Sequence, residues 1–321
     1  MFRRLIGRLS IALFVLSMLA ACGGSATPTP TRAPAAVTAT AGGQAGGTAT
    51  ATRTSSPTPT RPAATATRAA TATVAATPTP RVTGEITVFA AASLTDAFEE
   101  IAQAFQQRYP GTTVTFNFAG SSQLRAQLSQ GAEADVFASA DWKNMQGAQQ
   151  DGTIGSDPEV FARNEPVIVV PANNPAGIGS LADLAKPGIR LVLEGQDVPI
   201  GNYARQVLQK ASQDPSYGSD FAQRVLANVV SEETNVKAAL TKVALGEADA
   251  TFVYRTDATA PDVEDKVKIV EIPSQFDVVA EYPIAVVKNA PNPAGAQAFV
   301  DFVLSPEGQR ILAKWGFRTV H

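Results

Sequence analysis

Four short stretches of the sequence place small or hydroxylic residues where a helix is predicted to begin: Ser93, Ser121–Ser122, Ile200–Gly201 and Thr234–Val236. The first N–H groups of a helix have no acceptor inside it and carry a partial positive charge, so a helix N-terminus can bind an anion. One such end is more often an ordinary cap, but four that converge could surround an oxyanion with donors. Tyr254, at the end of a predicted strand, could add a phenol, although taken alone it would more often be a half-buried core residue.

The first of these stretches, residues 86–100, is predicted to be a buried strand that runs directly into a helix. Ile86–Phe89 is apolar and strand-favouring, and the small residues Ala90–Ala92 follow it. Ser93 with Asp96 three positions later is close to a capping box, so we expect Ser93 to cap the helix. Nothing bulky would then cover the N–H groups at this helix end.

The N-terminal residues Met1–Ala21 have the features of a signal peptide. A basic segment, Arg3–Arg8, precedes the apolar segment Leu9–Ala21, which is too short to span a bilayer. The sequence Leu19–Cys22 resembles a bacterial lipobox, in which a lipid is attached to the cysteine. Cys22 is the only cysteine of the chain, which excludes an internal disulfide and leaves a lone buried thiol as the alternative.

Residues 22–84 are predicted to form a lipidated Cys22 followed by a disordered tether. After the cysteine they are mainly Thr, Pro, Ala, Gly and Ser, with scattered Arg and no acidic residue. Such a composition offers almost no large apolar side chain to bury. As a coil, the tether would span ~45 Å and hold a folded domain above a membrane surface.

The charge of the remaining residues, 85–321, is strongly negative. All 29 acidic residues lie there with only 18 of the 26 Lys and Arg, a formal charge of −11. A domain this acidic is a poor partner for nucleic acid. An anion would therefore have to be bound by local dipoles against the overall field.

Strand-like and helix-like segments alternate through residues 85–321, which predicts an α/β fold with largely parallel sheets. Two segments repeat the same order of polar cap, amphipathic helix, glycine stop, Glu-Ala-Asp and apolar strand: Ser121–Asp141 and Thr234–Asp257. The repeat predicts two similar lobes with a ligand cleft between them. Val198–Asn202 is predicted to be a loop that leads into a helix over Tyr203–Ala211.

An ordered set of motifs resembles the periplasmic molybdate-binding proteins of ABC importers and covers nearly all of residues 85–317. The motifs are Val88–Thr95, Phe118–Ser122, Val198–Ala204, Asn235–Val236, Val253–Ala258, Tyr282–Val287 and Ser305–Gly308. Each motif is weak by itself, and the resemblance rests on their order. Two departures stand out, since Ile200 replaces the alanine of many members and Gly120 replaces a serine of some.

This resemblance implies a two-lobed type II periplasmic-binding fold, each lobe a mostly parallel sheet flanked by helices. Residues 85–164 and 279–321 would form lobe 1, and residues 165–278 would form lobe 2. The crossings near 163–167 and 278–282 would act as the hinge.

The resemblance also implies how a ligand is held. Ser93, Ser121 and Tyr254 would donate hydroxyls, and Ser93, Ser121, Ile200 and Val236 would donate backbone N–H groups, to molybdate or tungstate. Molybdenum would be bound only as the oxyanion, and no cofactor is implied. The protein would be a monomeric, lipid-anchored extracytoplasmic receptor that delivers its ligand to the membrane permease of an ABC importer, with no nucleic-acid partner.

Three other functions are alternatives to this one. An enzyme is disfavoured because Ser93 lacks a Gly-x-Ser-x-Gly pattern, and because the single histidine, His321, is the last residue of the sequence. A ferric-ion binding protein of the same fold would often use adjacent tyrosines, whereas Tyr254 has no neighbouring tyrosine in sequence. A receptor for sulfate or another tetrahedral oxyanion stays open as the alternative.

Overall fold

The structure is a computed structural model that describes residues 82–320. The predicted signal peptide, the lipidation site at Cys22, the tether and His321 lie outside the described residues. Among the residues it does describe, no helix is both long and apolar enough to cross a membrane.

Ten strands form three sheets in this part of the chain. They are β1 Gly84–Ala91, β2 Thr112–Ala119, β3 Val136–Ala138, β4 Glu159–Asn164, β5 Pro166–Pro171, β6 Leu191–Glu194, β7 Val229–Glu233, β8 Thr251–Tyr254, β9 Val267–Val270 and β10 Ala280–Val286. The strand orders are β2-β1-β3-β10-β4, β8-β5-β9 and β6-β7.

Nine α-helices lie between or after the strands over the same residues. They are α1 Thr95–Arg108, α2 Ser121–Ser129, α3 Trp142–Gln150, α4 Pro199–Ser212, α5 Phe221–Leu226, α6 Val236–Ala244, α7 Arg255–Ala258, α8 Pro293–Leu304 and α9 Pro306–Lys314. Short 3₁₀ turns cover Ala92–Leu94, Leu181–Ala185 and Ser274–Phe276.

The α/β class is as predicted, but the sheets are mixed rather than mostly parallel. β1 pairs in parallel with β2 and β3, and β6 pairs in parallel with β7. By contrast, β10 runs antiparallel to both of its neighbours, and β5 runs antiparallel to β8 and β9. Strand β5 is a continuous apolar run, a pattern typical of parallel strands buried on both faces, yet both of its neighbours run antiparallel to it.

Two strands, β4 and β7, were not predicted. The β7 sequence, VVSEE, is neither a continuous apolar run nor a clean alternation, and Val230 in it is exposed. The β4 sequence, EVFARN, mixes charged and apolar residues in the same way. Pairing with β10 decides the conformation of β4, and pairing with β6 decides that of β7.

The prediction that Ser93 caps a helix with Asp96 is wrong. Helix α1 begins at Thr95, after the 3₁₀ turn Ala92–Leu94, and no side chain caps it. The Ser93 hydroxyl instead forms a hydrogen bond of 3.0 Å with the Tyr282 hydroxyl. A partner distant in sequence has displaced the local cap.

The prediction of a loop over Val198–Asn202 is also wrong in its extent, because α4 already begins at Pro199. Proline suits the first helical position, since the N–H that it lacks would have no intrahelical partner. Helices α3 and α6, by contrast, do have side-chain caps. Asp141 accepts from the N–H of Asn144 at 2.9 Å, and Asn235 accepts from the N–H of Ala238 at 3.1 Å.

Candidate functional site

All five residues predicted to hold a ligand line one small cavity, which has about 10 Å³ of space for the centre of a water-sized sphere. Ser93, Ser121, Ile200, Val236 and Tyr254 all line it.

The first wall of the cavity is formed by the 3₁₀ turn Ala92–Leu94 and the start of α2. Strands β1 and β2 are parallel neighbours whose last residues, Ala91 and Ala119, pair with each other. The backbone turns into a helical segment directly after each strand. The two helical starts that carry Ser93 and Ser121 therefore lie side by side at one sheet edge.

The second wall is built in the same way by the starts of α4 and α6. Strands β6 and β7 are parallel and end on the paired residues Glu194 and Glu233. Helix α4 begins five residues after the first, and α6 begins three residues after the second. Ile200 and Val236 thus lie in first turns whose N–H groups have no acceptor within their helices.

The hydrogen bonds at the start of these two helices are donated by residues that follow Ile200 and Val236. In α4, the N–H of Asn202 donates to the carbonyl of Val198 at 2.9 Å. In α6, the Asn235 side chain and carbonyl accept from Ala238 and Ala239. The helix N-termini are thus left with donors for a ligand.

The Ser121 hydroxyl is oriented by a backbone group from outside its helix. Its oxygen accepts a hydrogen bond of 3.0 Å from the N–H of Ala140, which also lines the cavity. Because the oxygen is occupied as an acceptor, the hydroxyl hydrogen remains free to be donated. Ser121 is therefore set as a donor.

The Ser93 hydroxyl has a comparable arrangement with Tyr282. Tyr282 is fully buried, and burial raises the pKa of its phenol well above the usual value, so the phenol keeps its proton. When Tyr282 donates to Ser93, the serine hydrogen becomes available to a ligand in the cavity.

Tyr254 is the one cavity-lining side chain with a buried polar atom that has no hydrogen-bond partner. Only 1% of the residue is exposed, and its hydroxyl is unpaired. Burial raises the pKa of this phenol well above its usual value, so it remains a neutral donor. A buried unpaired polar group costs ~1–3 kcal/mol, which an acceptor placed in the cavity would recover.

Every residue that lines the cavity is uncharged. The one amide side chain there, Asn235, already uses its oxygen as the α6 cap. The cavity therefore offers hydroxyl and N–H donors and little acceptor capacity.

Gly120, the residue before α2, lies where the two walls touch. A Cβ atom added to Gly120 would be 2.1 Å from the carbonyl oxygen of Thr234, closer than atoms can approach. A serine at this position would require the walls to move apart. The departure noted in the sequence thus has a steric consequence.

Sequence reasoning missed two contributors to the site, Ala140 and Tyr282. Ala140 acts through its backbone, so its side-chain type carries no signal. Tyr282 was recognised only as the first residue of the motif Tyr282–Val287, and its distance of 189 residues from Ser93 hides their contact.

Within residues 82–320, no group of three or more His, Cys, Asp or Glu side chains is placed to hold a metal ion. Three tyrosines do meet near the cavity. The ring centroids of Tyr254 and Tyr282 are 5.6 Å apart, and those of Tyr203 and Tyr254 are 6.5 Å apart. No carboxylate lines the cavity beside them.

Comparison with known proteins gives consistent results. Residues 86–318 match the family model described as bacterial extracellular solute-binding protein. Molybdate-binding protein ModA of Mycobacterium tuberculosis is 44% identical over 232 residues, which cover 72% of this chain and 84% of that protein.

Two solved structures show the similarity of fold. The periplasmic molybdate-binding protein of Azotobacter vinelandii has a TM-score of 0.61 and 20% identity, over 74% of this chain and 100% of that one. The sulfate-binding protein SubI of Mycobacterium tuberculosis has a TM-score of 0.67 and 22% identity, over 74% of this chain and 87% of that one. At such identities, the likeness bears on the fold and not on the ligand.

Proposed function

The chain belongs to the family of bacterial extracellular solute-binding proteins, and from that premise we propose that it captures molybdate for an ABC importer. The predicted type II periplasmic-binding fold is confirmed by the solved relatives. The 44% identity to a molybdate-binding protein supports the choice of ligand, and the same site would accept tungstate.

The observation that carries this proposal is the unpaired Tyr254 hydroxyl in a cavity lined only by uncharged residues. We assign it, with the hydroxyls of Ser93 and Ser121, to the oxyanion. The backbone N–H groups of Ser93, Ser121, Ile200 and Val236 would complete the donor set. The anion's charge would be balanced by helix dipoles and hydrogen bonds rather than by a cation.

A site made of donors selects by protonation state. Molybdate is a dianion without a proton near neutral pH, and each of its oxygens can accept. Hydrogen phosphate carries a proton that needs an acceptor, and a missed buried hydrogen bond costs ~1–3 kcal/mol. Phosphate should therefore be rejected.

Sulfate is the alternative ligand, because it is also a dianion without a proton. Cavity size is what could exclude it, since the metal–oxygen bonds of molybdate are longer. The fold does not decide between them, because the sulfate-binding SubI shares it.

The remaining features of the proposal concern placement and delivery. A lipid on Cys22 and the tether of residues 23–84 would hold the monomer at the outer face of the membrane, within reach of a permease. Residues 85–164 and 279–321 would close against residues 165–278 around hinges near 163–167 and 278–282. The protein would release its ligand unchanged and have no catalytic activity.

Isothermal titration of the full-length chain with molybdate, tungstate, sulfate and phosphate tests this function. We expect one-to-one binding of the first two at least a hundredfold tighter than of the others, a difference of ~2.7 kcal/mol. Tight binding of sulfate or phosphate, or no binding of molybdate, would contradict the ligand assignment.

A further inference from the structure

One ammonium group connects elements that pack on different sheets. Lys237, the residue after Val236 in α6, lies 2.9 Å from a carboxylate oxygen of Asp96. Asp96 belongs to the first turn of α1, which packs beside β2, whereas α6 packs beside β8. The pair therefore crosses from the second wall of the cavity to the first.

The same ammonium also lies 3.8 Å from a carboxylate oxygen of Asp257. Asp257 is 1% exposed at its side chain, so the nearby ammonium of Lys237 provides its charge compensation. Burial lowers the pKa of Lys237, but the two carboxylates outweigh it and the pKa is raised. Lys237 is thus a fixed cation.

The three residues stand next to the proposed donors. Lys237 follows Val236, Asp96 lies three positions after Ser93, and Asp257 lies three positions after Tyr254. A change in the Lys237–Asp96 distance would therefore move the Val236 N–H relative to the Ser93 hydroxyl.

We propose that Lys237 is a positioning residue, which holds the two walls at the separation that lets their donors reach one anion. This proposal rests on the proposed function, and it assigns a role in binding to a residue that does not line the cavity. Opening of the cavity would break the contact with Asp96 and keep the contact with Asp257.

A second ion pair also crosses between the walls and makes a useful contrast. Lys143 of α3 lies 2.8 Å from Asp197, in the loop before α4, but these side chains are 49% and 72% exposed. Those of Lys237 and Asp96 are 29% and 36% exposed. Solvent and salt screen exposed ion pairs, which contribute little, so we assign the positioning role to Lys237 and not to Lys143.

The test compares Asp96→Asn with Asp197→Asn, since each removes one acidic partner of a crossing pair. Asp96→Asn leaves Lys237 beside Asp257, so no buried charge is abandoned. We expect it to raise the molybdate Kd about tenfold, through faster dissociation, and Asp197→Asn to change it less than about threefold. Removal of a negative charge near the anion would by itself strengthen binding, so a raised Kd identifies the loss of positioning.

Two variants of Lys237 separate positioning from simple loss of stability. Lys237→Arg keeps a cation between the two carboxylates and should retain a Kd within about threefold of the wild type. Lys237→Met leaves Asp257 uncompensated and should weaken both binding and folding.

Hydrogen–deuterium exchange of the ligand-free, full-length protein supplies a readout that needs no anion. Amides of residues 93–97 and 236–240 should exchange faster in Asp96→Asn than in Asp197→Asn. If the two variants have equal Kd values and equal exchange, the positioning role is wrong. If the wild-type protein does not bind molybdate but the exchange differs as expected, the ion pair holds the walls and the proposed function fails.

Discussion

The Ser121 hydroxyl oxygen accepts a hydrogen bond of 3.0 Å from the backbone N–H of Ala140. The two residues lie 19 positions apart, on segments that follow β2 and β3, the strands on either side of β1 in the five-stranded sheet. The contact fixes the direction of the Ser121 hydrogen before any ligand arrives. A donor that is already oriented loses less entropy on binding than one that must first be ordered.

Ser121→Ala should weaken molybdate binding by ten- to a hundredfold, because a hydrogen bond to a charged group contributes ~1.5–3 kcal/mol. The chain should remain folded, although the Ala140 N–H loses its acceptor. Titration calorimetry measures the affinity, and circular dichroism verifies the fold. Ser122→Ala, next to it but outside the cavity lining, is the control, and equal affinities for both variants would remove Ser121 from the site.

Tyr254→Phe should weaken binding by about tenfold or more while leaving the ligand-free protein at least as stable as the wild type. The reason is that the deleted hydroxyl has no partner to lose. Thermal unfolding with and without molybdate separates the two effects. Tyr217→Phe, which changes a tyrosine packed on Phe221 and Phe276, is the control. A stability loss without an affinity loss would make Tyr254 an ordinary core residue.

Ile200→Ala should reduce affinity less than Ser121→Ala, because the backbone N–H of residue 200 is retained. It should cost ~2–5 kcal/mol of folding stability, since Ile200 is 1% exposed and belongs to the apolar core. Urea unfolding and calorimetry on the same samples give both values. A greater affinity loss than in Ser121→Ala would mean that the isoleucine side chain shapes the cavity.

The buried Asp257 should make folding stability fall as pH rises through its native pKa. Burial, only partly offset by Lys237, raises that pKa from 3.8 to about 6. Between these values the native state keeps a proton that the unfolded state has lost, so stability decreases by up to ~3 kcal/mol as pH rises from about 4 to 7. Below about pH 4 both states are protonated and the penalty is absent.

Asp257→Asn should remove this penalty, so its stability relative to wild type should improve as pH rises. Urea unfolding at several pH values between 4.5 and 7.5 measures the trend. Asp249→Asn should show the opposite trend. Burial raises the pKa of Asp249, but hydrogen bonds from Arg190 outweigh it and lower that pKa overall. Parallel pH curves for wild type and Asp257→Asn would contradict the assignment.

The sequence by itself determined the α/β class, most helices and strands, and the candidate donor residues. Its motifs could do so because strand-to-helix junctions, glycine stops and caps such as Asp141 and Asn235 are local signals. A cap forms between residues three positions apart, so neighbouring residue types predict it.

The tertiary structure decided what depends on contacts between distant residues. Four contacts join segments far apart in sequence. They are the antiparallel pairing of β10 with β3, the hydrogen bond between Ser93 and Tyr282, the close approach of Thr234 to Gly120, and the ion pairs of Lys237. In each case, the packing of whole strands and helices outweighed the local preference. Ser93, for example, was predicted to cap a helix, but its hydroxyl forms a hydrogen bond with Tyr282 instead. The candidate donor residues could be identified one by one from the sequence, but only the tertiary structure shows that they line one cavity.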